Sequence, residues 1–253
     1  MKNTLTAGVI LIGDELLSGS IQDLNLSYIA KILEERGIRV RETRIIPDIE
    51  NEIVNAVNTL RKKFDYVFTT GGIGPTHDDI TSDSIAKAFN VANILQPSVF
   101  ALIEQGLTAK GVEFTPAAQR MAYAPEGAEI IETDRSIVPG YRIENVFVMA
   151  GVPRIMQIML EALLDKLNLA DPILSKAIHS NVGEGAIAKA LADIQQANPQ
   201  VDIGSYPQDK NSNNNDYRVI FVVRGTDLTL INTVCNNIVN ACQEQGYEAV
   251  KES

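Results

Sequence analysis

The sequence predicts an α/β protein: a three-layer αβα domain on a mostly parallel sheet, followed by a small α+β domain. Three observations lead there. The continuous apolar run at residues 7–12 has the character of a strand buried on both faces. Strands and amphipathic helices then alternate, so the first 90 residues read βαβαβα, the order of a parallel sheet with helices on both sides. Near Asp171-Pro172 the order changes to β-α-β-β-α, which suits a small split layer domain. The boundaries are therefore drawn at 1–170 and 171–253, both within the usual range for domains.

Taken in order, residues 7–12 form the first strand, closed by Gly13. Leu26, Ile29, Ala30 and Leu33 recur at helical spacing, and Gly37 ends that helix. Residues 40–46 read as the second strand. Ile49, Ile53, Val54, Val57 and Leu60 make the apolar stripe of the next helix. Residues 66–70 form a third strand that runs into Gly71-Gly72-Ile73-Gly74-Pro75, with a helix over 81–90 beyond it. Residues 97–122 are helical and irregular; Pro97 and Pro116 each suit a first helical position, the latter behind a Thr115 cap. Residues 146–149 form another strand. The helix from Pro153 carries a core stripe of Ile155, Ile158, Met159, Ala162, Leu163 and Leu167. In the small domain, strands are expected over 173–179, 201–206 and 217–223, and helices over 186–197 and 228–245. Residues 211–216 read as a polar loop.

Lys and Arg total 22 against 32 Asp and Glu, a net charge of −10. An acidic surface repels phosphate backbones, so nucleic acid is not expected as a partner. A small anion stays compatible where backbone N–H groups or a metal reverse the local field. Cys235 and Cys242, if on one helix, lie ~10.5 Å apart, beyond disulfide reach. They read as small apolar residues of a protein in a reducing compartment. No stretch approaches the ~18 apolar residues of a membrane span, and the run at 7–12 is too short for a signal-peptide core. A cytoplasmic protein with no membrane partner is expected.

The strongest chemical feature is Thr70-Gly71-Gly72-Ile73-Gly74-Pro75-Thr76-His77-Asp78-Asp79-Ile80-Thr81, a glycine-rich turn from strand to helix. Glycines let the backbone turn sharply and approach a ligand, and N–H groups in such a turn can face an anion. It lacks the Gly-Lys-Ser/Thr of a Walker loop and the spacing of a dinucleotide fingerprint. Asp78 and Asp79 suit the positive end of a helix, or a divalent cation. Carboxylates beside phosphate repel it unless a metal intervenes, so the two features together point to metal-bridged phosphate chemistry.

Three further segments end at the same predicted sheet edge. In Gly13-Asp14-Glu15-Leu16-Leu17-Ser18-Gly19-Ser20-Ile21-Gln22-Asp23-Leu24-Asn25, Asp23 or Asn25 suits a helix cap. Asp48, after Pro47, reads by itself as an N-cap. Pro139-Gly140-Tyr141 and Ala150-Gly151-Val152-Pro153 read as turn formers, or as a second backbone cradle. His77 falls either at a ligand or at the surface, and His179 reads as structural.

Together these segments resemble the first two domains of the competence/damage-inducible protein A (CinA) family. The first is similar to the molybdopterin-binding fold of MogA, MoaB and MoeA. The resemblance rests on Gly13 to Asn25, Pro47-Asp48, Thr70 to Thr81 and Gly151-Val152-Pro153, and covers most of residues 1–170. Ala150 departs from the family's Pro at that position. Residues 171–253 resemble the family's KH-like domain, although Gly183-Glu184-Gly185 is one residue short of a Gly-x-x-Gly clamp. The family's nicotinamide-nucleotide amidase domain is not matched, so that activity is expected to be absent.

The resemblance implies a metal-dependent pyrophosphatase acting on a dinucleotide-type diphosphate such as ADP-ribose or FAD. Asp48 and Asp79 match the aspartates implicated in adenylylation or its reversal, with Asp78 and Glu15 as further catalytic candidates. The divalent metal (Co²⁺, Mn²⁺ or Mg²⁺, with K⁺ as a further ion) is assigned to Asp78 and Asp79. A general base is expected among Asp14, Glu15 and Asp48. Substrate contacts are expected from Gly13, Asp14, Ser18, Asn25, Gly71, Gly72, Gly74, Thr76, Thr81, Gly140, Gly151 and Pro153. The alternatives are a molybdopterin-binding or adenylyl-transfer protein, and a non-catalytic ligand-binding or scaffolding module. Relatives form dimers or trimers, so a homo-oligomer is expected.

Overall fold

The computed structural model describes residues 5–133, 135–168, 170–208 and 217–252. Contacts divide the chain into two units, Met1–Ala170 and Asp171–Ser253. In the first unit, β1 (Leu5–Ile12) is apolar along its length because both faces are covered. Ala7, Val9 and Leu11 enter one core, while Ile10 and Ile12 enter the other. That alternation follows from the two-residue repeat of a strand.

The chain continues through α1 (Asp14–Leu17), α2 (Asn25–Glu34), β2 (Ile38–Ile46), α3 (Glu50–Lys63), β3 (Tyr66–Thr70) and α4 (Thr81–Phe89). It then passes β4 (Asn93–Leu95), α5 (Pro97–Ala109), α6 (Pro116–Arg120), β5 (Tyr123–Pro125), β6 (Glu129–Ile131), β7 (Gly140–Ile143), β8 (Val146–Met149) and α7 (Pro153–Leu163). The main sheet has the order β2-β1-β3-β8-β7-β6. Its first four strands are parallel; β7 and β6 return antiparallel. Ile29 and Leu33 of α2 pack with Met156, Met159, Leu160 and Leu163 of α7 on one face. Ile53, Val57 and Leu60 of α3 and Ile85 of α4 fill the other. This is the expected three-layer arrangement. The loops after β1, β2, β3 and β8 all leave the carboxyl ends of adjacent parallel strands, where such sheets bind ligands.

Local signals explain most boundaries. Gly37 follows α2 at φ 75°, and Asn90 ends α4 in the left-handed region at φ 57°. Pro97 and Pro116 open α5 and α6, and Thr115 Oγ1 accepts from Ala118 N at 3.2 Å. Two expectations need correction. Ile49 is not in the stripe of α3; it precedes the helix and is exposed. The short pairs β4–β5 and β6–β7 were not expected, because three- and four-residue strands carry too little periodicity to read.

The second unit has β9 (Leu174–Ser180), α8 (Glu184–Ala197), β10 (Asp202–Pro207), β11 (Val219–Gly225), α9 (Leu228–Glu244) and β12 (Ala249–Lys251). Its antiparallel sheet has the order β10-β11-β9-β12; the last strand was not expected. Asp227 caps α9 through bonds from Thr229 N and Leu230 N. Cys235 and Cys242 lie buried on α9 as free thiols, and burial pushes both up. His179 packs its ring 5.6 Å from that of Tyr217. The polar loop at 211–216 lies outside the described residues. Among the described residues, no helix is long and apolar enough to cross a membrane.

Phe68 and Phe147 stack across β3 and β8 with ring centroids 5.2 Å apart, and both are fully buried. Phe68→Ala is expected to cost about 3–5 kcal/mol. Urea unfolding followed by circular dichroism checks it; a loss under about 1 kcal/mol would contradict this account of the core.

Candidate functional site

The site begins with a backbone collision avoided by glycine. Gly71 follows β3 at φ 105°, and a Cβ there would sit 2.1 Å from Ile12 O at the end of β1. Gly72, at φ 68°, would place a Cβ 2.2 Å from Thr81 Oγ1. Only a residue without a side chain fits either position. The turn is then tied down: Gly71 N donates to Met149 O, Thr81 N to Gly72 O, and Thr81 Oγ1 to Gly71 O. Thr81 is fully buried and belongs to the support of the loop, not to the surface of the cavity.

Asp79 is held on the same turn. Its Oδ2 accepts from Thr76 N at 2.8 Å and from the Thr76 hydroxyl. Gly74 leaves room for that carboxylate, since a Cβ there would meet Asp79 Oδ2 at 2.7 Å. Asp78 is exposed, and the Thr76 hydroxyl, its own backbone N–H and His77 hold its carboxyl below the ordinary range. His77 itself is almost wholly exposed, with Nδ1 3.9 Å from Asp78.

Across the rim, Asp48 is not the N-cap its position suggests. No side chain caps α3; Asp48 Oδ2 instead accepts from Asp14 N at 3.0 Å, joining the loops after β1 and β2. Asp48 is half-buried, and burial raises its pKa. The Asp14 N–H opposes that shift, while the charges of Glu15, Asp14 and Asp78 reinforce it. Asp23 caps α2 by accepting from Asn25 N and Leu26 N. Asn25 is buried; its Nδ2 donates to Gly151 O at 2.8 Å, and its Oδ1 has no partner. Gly151 in turn approaches the Gly71 backbone closely.

These loops enclose a cavity of about 540 Å³. Of the residues singled out by sequence, Gly13, Glu15, Asn25, Asp48, Gly71 and Gly72 line it. So do Gly74, Thr76, Asp78, Asp79, Gly151 and Pro153. Four do not. Asp14 contributes its N–H to Asp48, Ser18 bonds Glu15 O and Ser20 Oγ, and Thr81 is buried behind the loop. Gly140 opens β7, where a Cβ would strike Val148 O at 2.7 Å; it serves strand packing and not a second cradle. Sequence reasoning missed the cavity's apolar wall, including Ile21, Leu24 and Val152, each more than half exposed. A cluster of exposed apolar side chains is visible only once the loops are folded together.

Among the described residues, no group of three or more His, Cys, Asp or Glu converges as a ready-made cation cage. The donors present are Asp79, Asp78 and Asp48 beside a glycine turn. That set fits a hard divalent cation held by one or two carboxylates, with water and substrate phosphate filling its other positions. It does not fit a structural cation bound by protein alone.

Comparisons with known proteins were made on this geometry. Residues 8–169 match the family described as probable molybdopterin binding domain, and residues 172–251 match the middle domain of FAD synthase. A protein of Archaeoglobus fulgidus is 36% identical over 200 residues, covering 79% of this chain and 85% of its own. A putative competence-damage inducible protein of Clostridium botulinum is 34% identical over 208 residues. That match covers 78% of this chain but 51% of the relative, so the chain spans about half of that protein's length. A crystal structure described as the protein CinA with unknown function, from Thermoplasma acidophilum, aligns with a TM-score of 0.59 at 28% identity. It covers 64% of this chain and 98% of that one.

Two predictions follow from the site. Gly71→Ala forces both an unfavourable φ and a clash with Ile12 O, and is expected to cost at least about 2 kcal/mol in chemical denaturation. Asp48 has a higher pKa folded than unfolded. Its contribution to stability is therefore full below the unfolded carboxylate pKa and is lost as pH rises through the folded one. Asp48→Asn is expected to raise the thermal midpoint at pH 7 and leave it near the parent value at pH 3; equal midpoints at both would contradict the raised pKa.

Proposed function

The chain belongs to the family of the probable molybdopterin binding domain, and from that premise we propose that it is a metal-dependent pyrophosphatase cleaving a nucleotide-containing diphosphate. One observation carries the reading: a glycine turn free of side chains and a set of carboxylates face the same cavity. The turn suits an anion, and the carboxylates suit the cation that such an anion brings.

The roles assigned to the chain's own groups follow from their surroundings. The N–H of Gly71 is already bonded to Met149 O, so the backbone donors for a phosphate are those of Gly72, Ile73 and Gly74. Asp79 is oriented by two bonds from Thr76 and presents its remaining oxygen toward the cavity's polar end. Asp48 is the candidate general base: burial and neighbouring charge bring its pKa up toward neutrality, which favours proton transfer. Its bond from Asp14 N keeps that carboxylate in place. A divalent cation, when bound, polarises a phosphoryl oxygen and lowers the pKa of a water. Ile21, Leu24 and Val152 offer a flat apolar surface to a ring at the other end of the ligand.

That apolar wall also favours a second reading, in which the same cavity holds a molybdopterin by its ring and its phosphate. Incubation with ADP-ribose or FAD and Mg²⁺, Mn²⁺ or Co²⁺ separates the two. AMP release that falls at least about 100-fold in Asp79→Asn supports hydrolysis. No AMP from any diphosphate, with a pterin copurifying, supports the second reading.

A further inference from the structure

Behind the glycine turn lies a second recess of about 180 Å³, whose wall shares Gly72, Ile73, Gly74 and Asp79 with the larger cavity. Its other side is formed by Ser82, Asp83, Asn93, Arg120 and Tyr123. None of these five is a motif residue, and the proposed chemistry uses none of them. We infer that this recess is a subsite for a neutral, hydroxyl-rich group such as a sugar carried on the distal phosphate of the substrate. This rests on the diphosphate reading above and narrows it to nucleoside diphosphates esterified to a sugar.

The argument is one of matching donors and acceptors. Arg120 is the one Lys or Arg lining either space among the described residues. Its guanidinium is directed to the loop, donating to Thr76 O at 3.4 Å and Asp79 O at 3.3 Å. Asp83 Oδ1 accepts from Asn93 Nδ2 at 2.8 Å, which leaves Oδ2 as an acceptor. Asn93 Oδ1 is buried without a partner. Ser82 Oγ accepts from Tyr141 OH at 3.2 Å, so its own proton is available for donation. The recess thus offers acceptors at Asp83 and Asn93 and a donor at Ser82.

A phosphate has acceptors only and would lie beside the carboxylates of Asp79 and Asp83, so its charge is opposed. An apolar group would leave these polar atoms unpaired, which is costly. A hydroxyl both gives and accepts, and a pair of hydroxyls bonded to one carboxylate is a recurring way of holding a ribose. The shared wall completes the case. A diphosphate laid along Gly72-Ile73-Gly74 has its nucleoside end in the larger cavity and its sugar end in the smaller one.

The test uses the full chain, Mg²⁺ and the uncleavable α,β-methylene analogues of ADP and ADP-ribose, with affinities from calorimetry. The sugar-bearing analogue is expected to bind about tenfold more tightly. Asp83→Ala, and independently Asp83→Asn, should erase that increment and leave the ADP analogue unchanged. Equal affinity of the two analogues for the parent protein overturns the subsite while the nucleotide reading stands, and so does a parallel loss of both in the variants. Binding of neither analogue overturns both.

Discussion

The contact between the Gly71 backbone and the carbonyl of Ile12 is the constraint on which the cavity depends. A side chain at residue 71 would occupy the space of that carbonyl. With none there, the loop after β3 folds down onto the end of β1, and Gly71 N reaches Met149 O at the end of β8. Three parallel strands are thereby locked at one rim. Thr81, fully buried, fixes the exit of the turn by bonding Gly71 O. The carboxylate of Asp79 then sits where the Thr76 N–H and hydroxyl hold it. Each step uses a short-range bond, but the starting condition is a steric one, and it joins segments nearly sixty residues apart.

The second organising feature is electrostatic. The chain carries a net charge of −10, and the larger cavity is lined by Glu15, Asp23, Asp48, Asp78 and Asp79 with no Lys or Arg among them. A bare anion entering this space meets repulsion that backbone N–H groups alone offset only in part. The raised pKa of Asp48 records the same crowding from the protein's side. Either proton uptake or a cation relieves it, and a cation does so while also serving a phosphate. The acidity that makes nucleic acid an unsuitable partner is thus compatible with a small phosphate ligand that arrives with its own counter-charge.

Legibility in the sequence followed the range of the interactions involved. Residues 66–70 and 146–149 read as strands and fold as β3 and β8, because a strand buried on both faces writes an uninterrupted apolar run. The glycine turn was legible as well, since a positive φ demands a residue type that stands out. Asp48 was read as an N-cap because its real partner, the N–H of Asp14, lies 34 residues away. Gly140 and Ser18 carry types common in ligand loops, but strand packing and local hydroxyl bonds use them here. β4, β5 and β6 are too short to impose a period. Arg120 sits on a five-residue helix, and nothing local marks that its guanidinium spans to the carbonyls of Thr76 and Asp79.

Arg120 also shows why the two spaces flanking the turn differ in character. On the side of the larger cavity, Ile21, Leu24 and Val152 make an apolar wall opposite the carboxylates. On the other side, Arg120 takes up two loop carbonyls, and Asp83, Asn93 and Ser82 stand with polar atoms available. A ligand with one flat end and one hydroxylated end, joined by charge, satisfies both walls at once. A ligand with two flat ends leaves the smaller wall's polar atoms unpaired, and unpaired buried polar atoms are penalised more heavily than paired ones are rewarded. The asymmetry of the walls therefore discriminates among diphosphates through what the smaller recess rejects.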